Sequence, residues 1–178
     1  MKLPNDVTDM MEKLDATTYN HSFRMWEIAQ AMESDFQMED DHFSTAAFLH
    51  DIGKIHISEK ILDKRDNLSV LEREVIDLHP YMGYRLLERY GLPEEVKRLV
   101  LYHHGLKPKI LMQLPDCDSG VIANQAKMLH TLDVFEALTT DRPYKRRMSV
   151  AAACDYMERE GGYHKEVIQY LRNHVSDF

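Results

Sequence analysis

Apolar positions recur along most of the chain at the three-and-four spacing of a helix, and no segment shows the strict alternation of a half-buried strand. In "TTYNHSFRMWEIAQAM", Tyr19, Phe23, Trp26, Ile28 and Ala29 fall on helical spacing. "DDHFSTAAFLHDIG" starts with two capping Asp and stops at Gly53. A short turn, "SEKILDK", precedes Ser69, which with Glu72 makes a capping box for "VLEREVIDLH". Pro80 predicts a break before "YMGYRLLERYG", and Pro93 opens "PEEVKRLVLYHH". The stretch 105–120 holds two Pro and two Gly and reads as a loop. A long helix then runs from Val121 to about Thr140, Ser149 caps another, and Gly161 and Gly162 separate that one from "HKEVIQYLRNH". The expectation is an all-α chain of about seven to nine helices.

Length narrows this to one domain over 1–178, with 1–15 as an N-terminal helical extension. No apolar run is long enough to cross a bilayer, and the start lacks the apolar stretch of a signal peptide. Cys117 and Cys154 form no metal or redox spacing, so reduced thiols and a cytoplasmic location are expected. A net charge of −8 argues against a duplex nucleic-acid surface, because such surfaces neutralise phosphates with Lys and Arg. Local positive charge is concentrated in "DRPYKRR", at Arg142, Lys145, Arg146 and Arg147; most such runs are only solvated faces. Met10 and Met11, two of eleven Met, suggest a partner-facing surface.

Ten His supply the candidate chemistry. His50 and Asp51, in "FLHDIGK", follow the apolar end of a helix, where a buried His-Asp pair needs a partner to offset desolvation. A divalent metal would be such a partner: Asp51 could bridge two ions with its two oxygens, Gly53 would let the chain turn away, and Lys54 would bring an ammonium back toward the site. The alternative is an ordinary helix end made of capping residues. Asp133 sits among Leu129, Leu132, Val134 and Phe135, where an unpaired carboxylate is costly. His130 lies three residues before it on the same row and is a candidate to support Asp133 or another ligand by hydrogen bonding. His79 precedes Pro80, with Gly83 one turn on, a missing side chain that suits a crowded centre. His103 and His104 stand together at a helix end, where both rings can turn to a common metal or can sit in solvent.

These residues resemble the HD-GYP domains, the branch of the metal-dependent HD phosphohydrolases that degrades cyclic dinucleotide messengers. The resemblance runs through "HSFRM", "AAFLHDIGKIHISEKILDK", "HPYMGYRLL", "LYHH" and "LDVFEALTTDRPY". It implies an HD-type helical bundle around a metal site. It implies further that His21, His50, Asp51 and Asp133 hold one metal, and that Asp51, His79, His103 and His104 hold another. Lys54 matches the family Lys near the nucleophilic water, and Arg142 and Lys145 match the basic residues that contact substrate phosphate. Some members have a carboxylate one turn before the first His and hold a third metal with it; Thr17 stands there, so two divalent transition ions, Fe or Mn, are expected. The departure lies in 105–120, where "HHGLKPKILMQLPDCDSG" has Gly105 in place of the family Glu and no Gly-Tyr-Pro.

The implied activity is hydrolysis of cyclic di-GMP or a related cyclic dinucleotide, with Asp51 and Lys54 in the catalytic machinery. Two other readings stand beside it. One is a weak or inactive binding and signalling module that keeps its metals as architecture; the other is an HD hydrolase of a different phosphoester. Signalling partner proteins and a homodimer are compatible with the chain, whereas a membrane is not among the expected partners.

Overall fold

The computed structural model describes residues 2–64, 66–105, 120–141 and 146–176. Among them the regular structure is all helical. The elements are α1 (Asn5–Glu12), α2 (Ala16–Asp35), α3 (His42–Leu49), a 3-10 turn (Ile52–His56), α4 (Glu59–Leu62), α5 (Val70–Ile76), α6 (His79–Arg89), α7 (Glu94–Tyr102), α8 (Val121–Thr139), α9 (Val150–Glu160) and α10 (Lys165–His174). The four-residue α4 is a single turn, which leaves nine longer helices among the described residues.

Local chemistry sets many of these ends. Asp15 accepts from the amides of Thr17 and Thr18 at the start of α2, Ser69 and Glu72 close the expected capping box on α5, and Ser149 accepts from Ala152 on α9. Gly161, at φ +71°, ends α9 in a conformation that a side chain would resist. The break expected at Pro80 falls two residues earlier. Proline lacks only an amide that the first turn leaves unbonded anyway, so Pro80 is accommodated inside the start of α6 and His79 becomes the first residue of that helix.

Helix α8 is the central element and packs against α7, α2, α9 and α10. It is buried on several sides, from Ile122 through Phe135 to Leu138, and its buried Thr131 and Thr139 hydroxyls donate to the carbonyls of Lys127 (2.7 Å) and Phe135 (2.9 Å), four residues back. α3 lies between α2 and α7, and α6 rests on α7 and on the 3-10 turn. Phe43, Leu49, Ile52, Leu87, Leu99, Leu129, Leu132 and Phe135 fill the centre. Met11 and Val7 of α1 are fully buried in this same core, so Met11 packs inward and is no partner-facing surface; Met10 beside it packs against the core's margin.

On α2 the buried face is His21, Ser22, Met25, Ala29 and Met32. The aromatic stripe lies outside it: Tyr19, Phe23, Trp26 and the Phe48 ring of α3 pack on one another, and Phe23 is exposed. Small and flexible side chains take the inner face because helices α2, α3 and α8 approach closely there.

Two glycines determine how near the 3-10 turn comes to α6. A Cβ on Gly53 would lie 2.0 Å from the carbonyl oxygen of His79 and 2.6 Å from the amide nitrogen of Gly83. A Cβ on Gly83 would meet Val100 Cγ1 at 3.0 Å and Gly53 N at 3.4 Å. Gly53 is therefore required by backbone contact rather than by a turn, and the crowding at Gly83 comes from the 3-10 turn and α7. The contact holds the segment that bears His50 and Asp51 against the start of the helix that bears His79.

Candidate metal centre

Five separate places on the chain deliver side chains to one buried point. His21 comes from the middle of α2, His50 and Asp51 from the end of α3, His79 from the first residue of α6, His103 and His104 from the end of α7, and Asp133 from the middle of α8. His21, His50, Asp51, His79 and His103 are buried, and the His104 side chain is about half exposed.

The imidazoles are held by a repeated device. His50 Nδ1–H donates to the carbonyl of Ala47 (2.8 Å), His79 Nδ1–H to that of Ile76 (2.7 Å) and His103 Nδ1–H to that of Val100 (2.7 Å), each three residues back. These bonds place the ring proton on Nδ1 and leave Nε2 as a bare donor turned inward. His21 is held differently: its Nδ1 bonds to the Glu136 carboxylate, which also takes the Arg24 guanidinium and the Thr140 hydroxyl (2.8 Å).

The inward nitrogens are close to one another and to two carboxylates. His21 Nε2 is 3.2 Å from His50 Nε2 and 3.2 Å from Asp133 Oδ1. His79 Nε2 is 3.2 Å from His103 Nε2. Asp51 stands between these groups, Oδ2 3.4 Å from His50 Nε2 and Oδ1 3.2 Å from His79 Nε2. The bare Nε2 atoms of His79 and His103, facing each other at this distance, have no proton to share. Donors at about 2.1 Å from a common cation, roughly 90–100° apart, lie about 3.0–3.2 Å from each other, so the set fits a metal ion.

The charges agree with that fit. Burial would raise the Asp51 carboxyl, but the His50 ring and the Lys54 ammonium hold it well below the usual carboxylate range. Asp133 is likewise held low against its burial, first by the hydrogen bond from His21. Burial and the neighbouring rings push His103 well down, and burial takes His104 to about 4 against the pull of Asp133. Burial would lower His21 too, yet Asp133 and Glu136 outweigh it and push that ring up to about 9. A proton on His21 Nε2 and a cation beside it would be alternatives.

Donor atoms of His21, His50 and Asp133 form one compact group that could hold a metal, and those of His79, His103 and His104 form another. Asp51 also groups with His50 and His103, and a fourth group joins His104, His130 and Asp133. All seven candidate ligands named from the sequence thus converge. Lys54 reaches back to Asp51 Oδ2 at 2.6 Å. Thr17 is exposed at the start of α2 and joins none of these groups. Arg142, Lys145 and residues 106–119 of the divergent loop lie outside the described residues. Glu136 and Arg24 went unnoticed in the sequence; the available signal was an acid one turn after Asp133 in the apolar "LDVFEAL". A separate cavity of about 310 Å³, lined by Arg24, Glu136, Thr139, Tyr170 and His174 among others, borders the Glu136 group that holds His21.

Comparison with known proteins places this geometry in context. A cyclic di-GMP phosphodiesterase of Pseudomonas aeruginosa is 27% identical over 92% of this chain and 41% of its own length. A 3'3'-cGAMP-specific phosphodiesterase of Vibrio cholerae is 30% identical over 64% of this chain and 24% of its own. The chain spans less than half the length of these relatives. The crystal structure of the HD domain of phosphodiesterase PgpH from L. monocytogenes, in complex with cyclic-di-AMP, superposes with a TM-score of 0.66 over 97% of this chain and 95% of that one, at 16% identity, and so shares the fold. The HD domain family model matches residues 18–160, a span that contains every converging side chain from His21 to Asp133, and the chain belongs to the HD domain family of metal-dependent proteins.

Proposed function

We propose that the chain is a metal-dependent phosphodiesterase that hydrolyses cyclic di-GMP or a related cyclic dinucleotide at a two-cation centre and works in the cytoplasm. The observation that carries this reading is the position of Asp51, whose two oxygens face His50 of one donor group and His79 of the other. His21, His50, Asp51 and Asp133 are the ligands of the first cation, and Asp51, His79, His103 and His104 those of the second. Imidazole and carboxylate donors without thiolate suit iron or manganese. The activities named for the relatives support the substrate class.

When bound, the two cations supply an activated water near neutral pH and neutralise the phosphate oxygens. The chain's own groups do the rest. Asp51, buried, and Asp133, largely shielded, hold negative charge at the centre, and the Nδ1 bonds of His50, His79 and His103 keep the free nitrogen of each of these rings aimed inward. Lys54, fixed on Asp51 Oδ2, adds a positive charge for the phosphate in flight, and Arg142 and Lys145 contact the substrate phosphate.

A second reading, a binding and signalling module without turnover, is favoured by one sequence feature: 105–120 lacks the family's Glu and Gly-Tyr-Pro. Anaerobic loading with Fe(II) or Mn(II), followed by assay on cyclic di-GMP, 3'3'-cGAMP and bis(p-nitrophenyl) phosphate, separates the two. The enzyme cleaves the small diester and at least one dinucleotide. Arg142→Ala lowers dinucleotide turnover more than small-diester turnover, because only the larger substrate reaches a remote phosphate contact. Metal-loaded protein that cleaves neither but binds cyclic di-GMP tightly is the module, and the roles of Lys54 and Arg142 then fall.

A further inference from the structure

We infer that His130 builds a third cation position at the mouth of the centre, together with His104 and the outward oxygen of Asp133. This rests on the two-cation reading above. Asp133 divides its oxygens: Oδ1 faces His21 at 3.2 Å, while Oδ2 faces His104 Nδ1 at 3.9 Å. Donor atoms of His104, His130 and Asp133 lie within 4.8 Å of one another, wider than donors already closed on one ion, so the side chains draw inward when they hold it.

His130 is the residue that needs explaining. It projects from the same row of α8 as Asp133, its ring stacks on Tyr163 (centroids 5.8 Å apart, planes at 20°), and it meets His104 edge-on at 6.1 Å. Its Nδ1 is buried and has no hydrogen-bond partner among the described residues. A buried ring nitrogen without a partner costs free energy unless something binds there. Each of His50, His79 and His103 spends Nδ1 on a backbone carbonyl; His130, set between Tyr163 and His104, spends its own on no described residue and stays available as a donor.

Two imidazoles and a carboxylate select a divalent transition cation. His104 also belongs to the inner group of His79 and His103, and its side chain is 47% exposed. Because a neutral imidazole has one lone pair, His104 serves both ions only as a bridging imidazolate, one nitrogen to each, with its ring proton released to solvent. The third ion is therefore bound more weakly than the inner two and keeps open positions toward solvent, where a phosphate oxygen of the substrate can enter. Thr17 stands where some members of the family carry a third-metal carboxylate; His130 supplies a different donor, beside His104.

The test counts and locates ions. Protein freed of excess metal by gel filtration retains two Mn(II), and titration followed by the loss of free-Mn(II) EPR signal shows a third, weaker equivalent. Anomalous diffraction from crystals soaked in Mn(II) shows a third peak between His130 and Asp133. His130→Phe keeps a ring to stack on Tyr163 but has no donor nitrogen, so it retains two ions and loses the third. Wild type that saturates at two, or a Phe variant that still takes up three, overturns the proposal. Wild type that holds fewer than two overturns the two-cation reading and this proposal with it. If His130→Phe does not fold, the anomalous map of the wild type decides alone.

Discussion

Glu136 holds His21 from behind while anchored by Arg24 and Thr140, and such buttresses matter nearly as much as the ligands they orient. Glu136→Ala is expected to weaken the first cation by about 10- to 100-fold and to leave the second nearly unchanged, as read by chelator competition on the two ions. Asp51→Ala should lose both ions, whereas His104→Ala should spare the first; equal loss in the two variants would refute the ligand partition. Individual candidate ligands were legible because a His or Asp next to a helix end or inside an apolar run advertises a desolvation problem. Glu136 was not, because its value lies in a hydrogen bond to a residue 115 positions away. His130 was legible as a neighbour of Asp133 on one row, but its unpartnered nitrogen depends on what α7 and the residue at 163 bring to it.

Helix α5 shows what a local signal can and cannot do. Its capping box was readable from Ser69 and Glu72 alone, yet the helix buries none of its residues and leaves Val70 and Leu71 exposed. Ser69→Ala is expected to speed amide hydrogen exchange in the first turn of α5 by about fivefold with no measurable change in global melting temperature. The Lys64 ammonium and the Ser69 amide and hydroxyl hold the Glu72 carboxyl at about 2, below its ordinary 4.5. Its contribution is thus complete above the ordinary value and is lost as pH falls through about 2, so α5 should fray in acid over that window, visible in the same exchange experiment. Helix existence followed from periodicity. Which face of α2 turns inward did not, because the aromatic stripe and the Ser22, Met25 and Ala29 face both repeat at helical spacing, and only the close approach of α3 and α8 selects the narrower side chains. The start of α6 was displaced for a similar reason, since proline is as acceptable inside a first turn as before it.

At the level of the whole molecule, five elements meet at one cluster of facing nitrogens and carboxylates, so a cation there ties α2, α3, α6, α7 and α8 together. Chelation should lower the melting temperature by about 5 to 10 °C, the effect of an ion at a hundredfold excess over its Kd on a chain of this size, and reloading should restore it. The order of motifs made the convergence legible, while the distances that produce it belong to the packing. Gly53 is the clearest instance. Its Cβ position is blocked by the carbonyl of His79 and the amide of Gly83, both main-chain atoms, so shrinking a neighbouring side chain cannot make room. Gly53→Ala is expected to cost about 3 kcal/mol or more in denaturant unfolding, whereas the tight contact of Gly83→Ala is with the Val100 side chain, its approaches to Gly53 N and Ile52 being ordinary van der Waals contacts, and it should cost less. In saturation mutagenesis position 53 should accept one letter and admit no second-site suppressor, while position 83 should be rescued by Val100→Ala. Two glycines that look equivalent in the sequence therefore differ in evolvability: one is a dead end for substitution, the other a negotiable partner in a pair.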